Sequence, residues 1–121
     1  MSTRVVAALL PLGFESFQVG FGRSLAGRDP LAIARDLVDV LAAHDSPAGE
    51  PPPRVSSLGI YGNPLTSPET VADWETLIDA APAFGCDIVA GFAGRIPGRP
   101  VPESMPRFGE VFRPLAARAA D

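Results

Sequence analysis

The chain of 121 residues contains no lysine, one cysteine and one histidine. Every positive charge is therefore an arginine, and a phosphate-binding loop of the Gly-Lys-Ser/Thr type is excluded. The single cysteine, Cys86, excludes an internal disulfide and a multi-cysteine metal site. His44 has no second histidine and no carboxylate at ligand spacing nearby, so we interpret it as a helix-end residue rather than a metal ligand.

Long apolar runs are also missing. The longest run, Val5–Leu10, is far shorter than the about 20 residues of a membrane-spanning helix, and no signal-peptide cleavage pattern follows it. We therefore expect no membrane contact, with cytoplasmic residence as the default. The net charge of −4 argues against nucleic-acid binding, because such proteins normally present a basic face.

The composition that remains is typical of one globular domain over residues 1–121. Apolar residues make up 46% of the chain, which is enough for a hydrophobic core. The 14 prolines and 12 glycines lie mostly at the ends of predicted elements and in one linker, residues 46–54. We interpret this proline-rich linker as an extended surface loop.

Apolar periodicity and capping residues predict helices and strands in the order αβαβαβα. Two helix starts are marked by a capping residue followed by proline, at Asp29-Pro30 and Ser67-Pro68. The predicted strands are Phe14–Phe21, Val55–Tyr61 and Asp87–Phe92.

Three of the predicted helices carry an apolar stripe that we expect to face the sheet. The stripes consist of Ile33, Leu37, Val38 and Leu41 in the second helix, Val71, Trp74, Leu77, Ile78, Ala81 and Phe84 in the third, and Met105, Phe108, Val111, Phe112, Leu115 and Ala119 in the last.

The carboxylates of the third helix follow polar spacing and are expected to face solvent. They are Glu69, Asp73, Glu75 and Asp79.

Alternating helices and strands predict a parallel sheet, because crossover connections between parallel strands are right-handed. The unit length matches a (β/α)₈ barrel, in which about 250 residues divide among eight units. The expected fold class is α/β, a partial (β/α)₈ TIM barrel of about three parallel strands with three to four helices. In such a sheet, ligands bind at the carboxyl ends of the strands.

Candidate site residues lie at this edge, at or just after the ends of the second and third predicted strands. Tyr61 ends one strand and Asn63 follows it, while Phe92 ends the other and Gly94 and Arg95 follow it. Asn63 suits either a hydrogen bond to a substrate hydroxyl or the stabilisation of its own turn. Arg95 suits either a bidentate contact to phosphate or carboxylate, or ordinary solvation. Tyr61 suits either stacking on a sugar or core packing.

The segments Leu58–Leu65 (LGIYGNPL) and Phe92–Gly98 (FAGRIPG), followed by Pro114-Leu115, resemble the sugar phosphate isomerase/epimerase family. This family belongs to the xylose isomerase-like TIM barrels, which also include abasic-site endonucleases. The resemblance is strongest over Val55–Ala119, just over half of the chain. It implies metal-dependent proton transfer between adjacent carbons of a sugar or polyol, with a carboxylate base and Mg, Mn or Zn as the divalent metal.

The resemblance assigns this chain to the amino-terminal half of such a barrel. The metal ligands of the family lie at later strand ends, so no catalytic residue and no metal is expected on this chain. What carries over is a substrate-binding role for Asn63 and Arg95, with Tyr61, Phe92 and Gly94 as neighbours. We expect the isolated chain to be inactive as an isomerase, and to self-associate through its unpaired sheet edges.

Two other functions stay open. The first is a non-catalytic α/β module that binds a small molecule, which would be a soluble, cooperatively unfolding monomer. The second is a relative of the abasic-site endonucleases, which would bind damaged DNA. The acidic charge and the absence of histidine from both loops disfavour the second.

Overall fold

The computed structural model describes residues 3–121, in which helices and strands alternate in the predicted order. The strands are β1 (Ser16–Gly20), β2 (Arg54–Ile60) and β3 (Val89–Gly91). The α-helices are α1 (Thr3–Leu9), α2 (Pro30–Ala42), α3 (Pro68–Ala80) and α4 (Met105–Ala120). Short 3-10 turns cover Leu10–Leu12, Ala81–Phe84 and Val101–Ser104.

The three strands form one parallel sheet in the order β1-β2-β3, so the α/β fold class is confirmed. β1 and β3 are shorter than the sequence predicts, whereas β2 has the predicted length but begins and ends one residue earlier. Tyr61 leaves the ladder because its backbone N–H donates to the carbonyl of Gly22, at 2.7 Å. Within residues 3–121, β3 is a short edge strand that pairs with β2 alone, over Leu58–Ile60.

A β-bulge in β2 keeps its apolar residues on one face. Val55 and Leu58 are both buried, although residues three apart in a regular strand point to opposite faces. The register shifts between Phe17 and the next residue of β1, which leaves Ser56 as the extra residue of β2. The Ser56 hydroxyl donates to the carbonyl of Phe17 at 3.2 Å.

One face of the sheet packs against the helices and the other is uncovered within residues 3–121. A single hydrophobic core joins alternate strand residues to residues of all four helices. Successive helices contact one another in a layer, α1 to α2, α2 to α3 and α3 to α4. On the opposite face Gln18 is exposed and Ile88 has an exposed fraction of 53%. The architecture therefore has two layers, with the helices on one side.

The predicted helix caps are present. The Asp29 carboxylate accepts a hydrogen bond from Leu31 N at 3.0 Å, and Ser67 Oγ accepts one from Thr70 N at 3.2 Å. Gly85 ends the turn after α3 in the left-handed region, at φ 72°. The proline-rich linker has neither helix nor strand up to residue 53, and Arg54 already belongs to β2.

Predictions about the burial of four residues are wrong. Val38 and Met105 are 43% and 60% exposed, because each lies at the margin of a stripe that is narrower than predicted. Ala119 is also exposed, near the end of α4. Asp73, which was expected to face solvent, is only 9% exposed, because its carboxylate binds a loop described below. Among the helices of residues 3–121, none combines the length and apolar character needed to cross a bilayer.

Candidate functional site

A cleft of about 600 Å³ lies at the carboxyl ends of the strands. All five residues that the sequence nominated as substrate-binding line it, so the structure brings them together. Their contact with a ligand stays a prediction. The lining residues are Arg23, Tyr61, Gly62, Asn63, Phe92, Gly94, Arg95 and Val101.

The Asn63 amide joins the loop after β2 to the loop after β3. Asn63 Oδ1 accepts hydrogen bonds from Leu65 N at 3.1 Å and from Arg95 N at 3.3 Å. Asn63 Nδ2 donates to the Arg95 carbonyl at 2.7 Å. Both acceptor positions of the amide are thereby occupied, and one N–H remains for another partner. Asn63 is therefore first a residue that positions the loop carrying Arg95.

Gly94 makes this junction possible. Its φ is +81°, in the left-handed region that favours glycine. A Cβ atom at this position would overlap Asn63 Oδ1 and would lie 3.0 Å from Pro64 Cδ. The two motifs of the sequence are thus coupled, because the amide of the first packs directly against the glycine of the second.

Two aromatic rings form one wall of the cleft. Tyr61 and Phe92 pack with their centroids 5.3 Å apart and their planes tilted by 57°. The Tyr61 ring lies across β2 and β1, so that a Cβ on Gly59 would overlap its hydroxyl and one on Gly20 would lie 3.6 Å from the ring. Phe92 is 60% exposed, so it presents an open apolar surface to the cleft.

Arg23 is a cleft residue that the sequence reasoning missed. It follows β1 and lines the cleft together with Arg95. The signal that would have identified it is a repeated pattern at two strand ends, GFGR at residues 20–23 and GFAGR at residues 91–95. Within residues 3–121, the Arg23 guanidinium has no hydrogen bond or ion pair.

The loop that carries Arg23 is fixed by buried and backbone hydrogen bonds. The buried Asp73 carboxylate of α3 accepts from Leu25 N at 3.1 Å. The Arg28 guanidinium, which lies over the Phe21 ring, donates to the carbonyls of Phe21, Ser24 and Leu25. These bonds use backbone groups of the loop and leave the side chain of Arg23 in the cleft.

The loop that carries Arg95 is fixed in the same manner. Besides its two backbone bonds to Asn63, it is held by Ser104, whose buried hydroxyl accepts from Ile96 N at 2.9 Å. The Arg95 guanidinium donates to the carbonyl of Arg99 at 2.9 Å. Nearby, Arg99 forms an exposed ion pair with Glu103 at 3.3 Å.

The cleft is cationic although the chain as a whole is acidic. Arg23 and Arg95 are the charged residues among those of residues 3–121 that line it, and no carboxylate joins them. No cluster of three or more His, Cys, Asp or Glu side chains suited to a metal ion occurs within residues 3–121.

A second cavity of about 580 Å³ lies between α3, α4 and the outer edge of β3. It is mostly apolar, and its lining includes Trp74, Cys86 and Phe112. Burial raises the pKa of the Cys86 thiol, so this cysteine is protonated and poorly nucleophilic at neutral pH. The indole Nε1–H of Trp74 is buried and has no hydrogen-bond partner within residues 3–121.

Comparison of the chain with protein-family models, with curated proteins and with solved structures gives no match. The cleft at the carboxyl ends of the strands is the candidate site, because it combines aromatic surface, cationic side chains and rigid loops.

Proposed function

We propose that this chain forms part of the wall of a (β/α)₈ barrel of the sugar phosphate isomerase/epimerase type. The observation that carries the proposal is a parallel sheet in chain order with all helices of residues 3–121 on one face. Parallel sheets normally have both faces covered. In a barrel the second face closes against further strands, so a helix layer on one side alone is the geometry of a barrel wall.

The uncovered face suits the interior of a barrel. A small or polar strand residue on this face leaves room for the side chains of further strands or for a ligand. Gln18 of β1 and Ser57 of β2 lie on it, and the Tyr61 ring lies across Gly20 and Gly59 at its carboxyl end. This pattern agrees with a surface that is covered by other strands rather than by water alone.

In the proposed function the cleft binds the sugar or polyol. Tyr61 and Phe92 contact an apolar face of the ring, Arg95 contacts a polar substituent, and Asn63 and Gly94 hold the loop in place. The cleft residues do not fit a divalent cation, because two guanidinium groups and no carboxylate of residues 3–121 line the cavity. We assign no metal to this chain and derive no step through one. Cytoplasmic residence is part of the proposal.

Chemical-shift mapping tests the location of the site. A neutral keto sugar titrated into the ¹⁵N-labelled chain is expected to shift the amides of residues 61–65 and 92–96 saturably. A Phe92→Ala variant is expected to weaken this binding, and Phe14→Ala, which removes an aromatic ring that is 52% exposed elsewhere, is the matched control. Shifts confined to the cavity around Trp74, or no saturable shift, would overturn the proposal.

An isomerisation assay tests whether this chain alone carries a complete catalytic site. The isolated chain, supplied with Mg²⁺ or Mn²⁺ and common aldo or keto sugars, is expected to show no turnover above buffer. Robust metal-dependent turnover by this chain would show that it carries a complete site. Saturable binding of abasic DNA, in contrast, would support the endonuclease relationship and would count against the sugar proposal.

A further inference from the structure

We propose that Arg23 and Arg95 together form a subsite for an anionic group, a phosphate or a carboxylate, on the ligand of the cleft. The inference rests on the proposed function for one point alone, that the cleft at the carboxyl ends of the strands is the ligand site. It adds a residue, Arg23, that the family resemblance does not provide, and it makes Arg23 and Arg95 act on the same anionic group.

The charge of the cleft favours an anion. Arginine presents planar donors that match the oxygens of phosphate and carboxylate, and it stays protonated at all ordinary pH values. Arg23 and Arg95 line the same cavity, and none of the carboxylates within residues 3–121 lines it with them. In a chain with net charge −4, two guanidinium groups without a lining carboxylate create a local positive potential.

Most N–H donors of the two arginine side chains are available to a ligand. Arg28 shows how this chain uses an arginine for structure, since its guanidinium donates to three loop carbonyls. Arg23 has no such partner within residues 3–121, and the guanidinium of Arg95 has one carbonyl partner. Several N–H donors of both side chains therefore remain for a ligand.

The loops that carry the two arginines are preorganised. The loop after β1 is held by the buried Asp73 and by Tyr61 N, and the loop after β3 is held by Asn63 and by the buried Ser104. These bonds fix the backbone from which each arginine projects, so binding does not have to order the loops. Asp73 and Ser104, two buried polar side chains, thus bind the backbone of these loops.

The cleft surface shared with the two arginines is aromatic. Tyr61 and Phe92 line the same cavity as the two arginines. A ligand with an apolar ring face and an anionic substituent, such as a phosphorylated sugar or a sugar acid, matches this combination. A neutral polyol uses the aromatic rings and leaves the cationic pair without a partner.

Equilibrium binding at constant ionic strength tests the subsite. The probes are inorganic phosphate, a hexose phosphate, a sugar acid and the neutral sugar, each titrated into the intact 121-residue chain. We expect saturable binding of the anions, and a loss of about tenfold or more in Arg23→Gln and in Arg95→Gln, since each substitution removes charge-assisted hydrogen bonds. Preference for the hexose phosphate or for the sugar acid identifies the anionic group.

Arg35→Gln is the matched control, because Arg35 is an exposed arginine on α2 outside the cleft. Its affinity for the anions should stay within about twofold of the unchanged chain, as expected when only distant charge is removed. If a glutamine variant fails to fold, Arg23→Lys or Arg95→Lys replaces it, since lysine keeps the charge but lacks the planar donors of the guanidinium group. Equal weakening by Arg35→Gln, or no saturable anion binding, overturns the subsite. Either result leaves the neutral-sugar titration as an independent test of the proposed function.

Discussion

At the scale of single residues, the two loops of the cleft are joined by a side-chain amide and a glycine. Asn63 supplies three hydrogen bonds to the backbone of residues 65 and 95, and Gly94 leaves the space in which the amide lies. The junction is therefore sensitive to a single methyl group at Gly94.

We expect Gly94→Ala to destabilise the chain more than Gly98→Ala. Both glycines have a positive φ, +81° and +74°, but a Cβ on Gly98 would meet open space. Gly98→Ala should cost about 1 kcal/mol for the backbone conformation alone, and Gly94→Ala about 1–3 kcal/mol more because of the overlap with Asn63. Urea unfolding of the two variants measures the difference. Equal stabilities would show that the loops accommodate the methyl group without cost.

Single residues also show the limits of the sequence reasoning. The juxtaposition of Asn63 and Arg95 was predictable, because parallel strands end at the same edge of a sheet. That the Asn63 amide would bond the Arg95 backbone was not, since both a turn and a ligand contact fit the same motif. Asp73 was placed in solvent because helical spacing alone cannot show that a distant loop supplies an N–H, here that of Leu25.

At the scale of elements, α3 and α4 are linked by an exposed ion pair. The Arg118 guanidinium donates to both carboxylate oxygens of Asp79, at 2.8 and 2.5 Å. These hydrogen bonds hold the pKa of the Asp79 carboxyl below its ordinary value of 3.8. They also raise the pKa of Arg118.

The stability contributed by this pair should depend on pH. Because the folded-state pKa of Asp79 is lowered, the contribution is present above pH 3.8 and is lost as the pH falls through the folded-state pKa. We expect Asp79→Asn to be slightly less stable than the unchanged chain at neutral pH, with the difference vanishing in acid. Denaturant unfolding across this range measures it, and Asp36→Asn on α2 controls for net charge. A difference independent of pH would exclude the pair as its source.

Elements were predictable where the signal is local. Asp29-Pro30 and Ser67-Pro68 start helices because cap and proline act within a few residues. Strand length depends on the partner instead. Apolar character predicts β3 over Asp87–Phe92, but it spans Val89–Gly91, since only those residues lie in register opposite residues of β2. The bulge at Ser56 has no signal in the sequence and was not predicted.

At the scale of the whole molecule, the sheet leaves one face uncovered and the outer edge of β3 without a partner strand within residues 3–121, and β1 is its other edge strand. An unpaired edge strand presents free N–H and C=O groups to other chains. Ile88, at the start of this edge, is 53% exposed. The arrangement of strands and helices thus leaves an association surface that the proposed barrel would close.

We expect the isolated chain to self-associate with increasing concentration, and Ile88→Lys to shift it towards monomer because a charge at a strand edge opposes pairing. Leu12→Lys, at a residue that is 72% exposed and lies in the turn after α1, is the control and should not change the association. Sedimentation velocity over a range of concentrations measures both. A chain that stays monomeric throughout would favour the self-contained binding module.

The indole N–H of Trp74, which is buried without a hydrogen-bond partner in the described residues 3–121, has a practical consequence. Trp74 is the one tryptophan of the chain, and it lies beside Gly91 on the edge strand, with Phe112 packed edge-on at 5.4 Å. A chain segment that paired with this edge would change the surroundings of the indole. We therefore expect the intrinsic fluorescence of Trp74 to respond to that pairing.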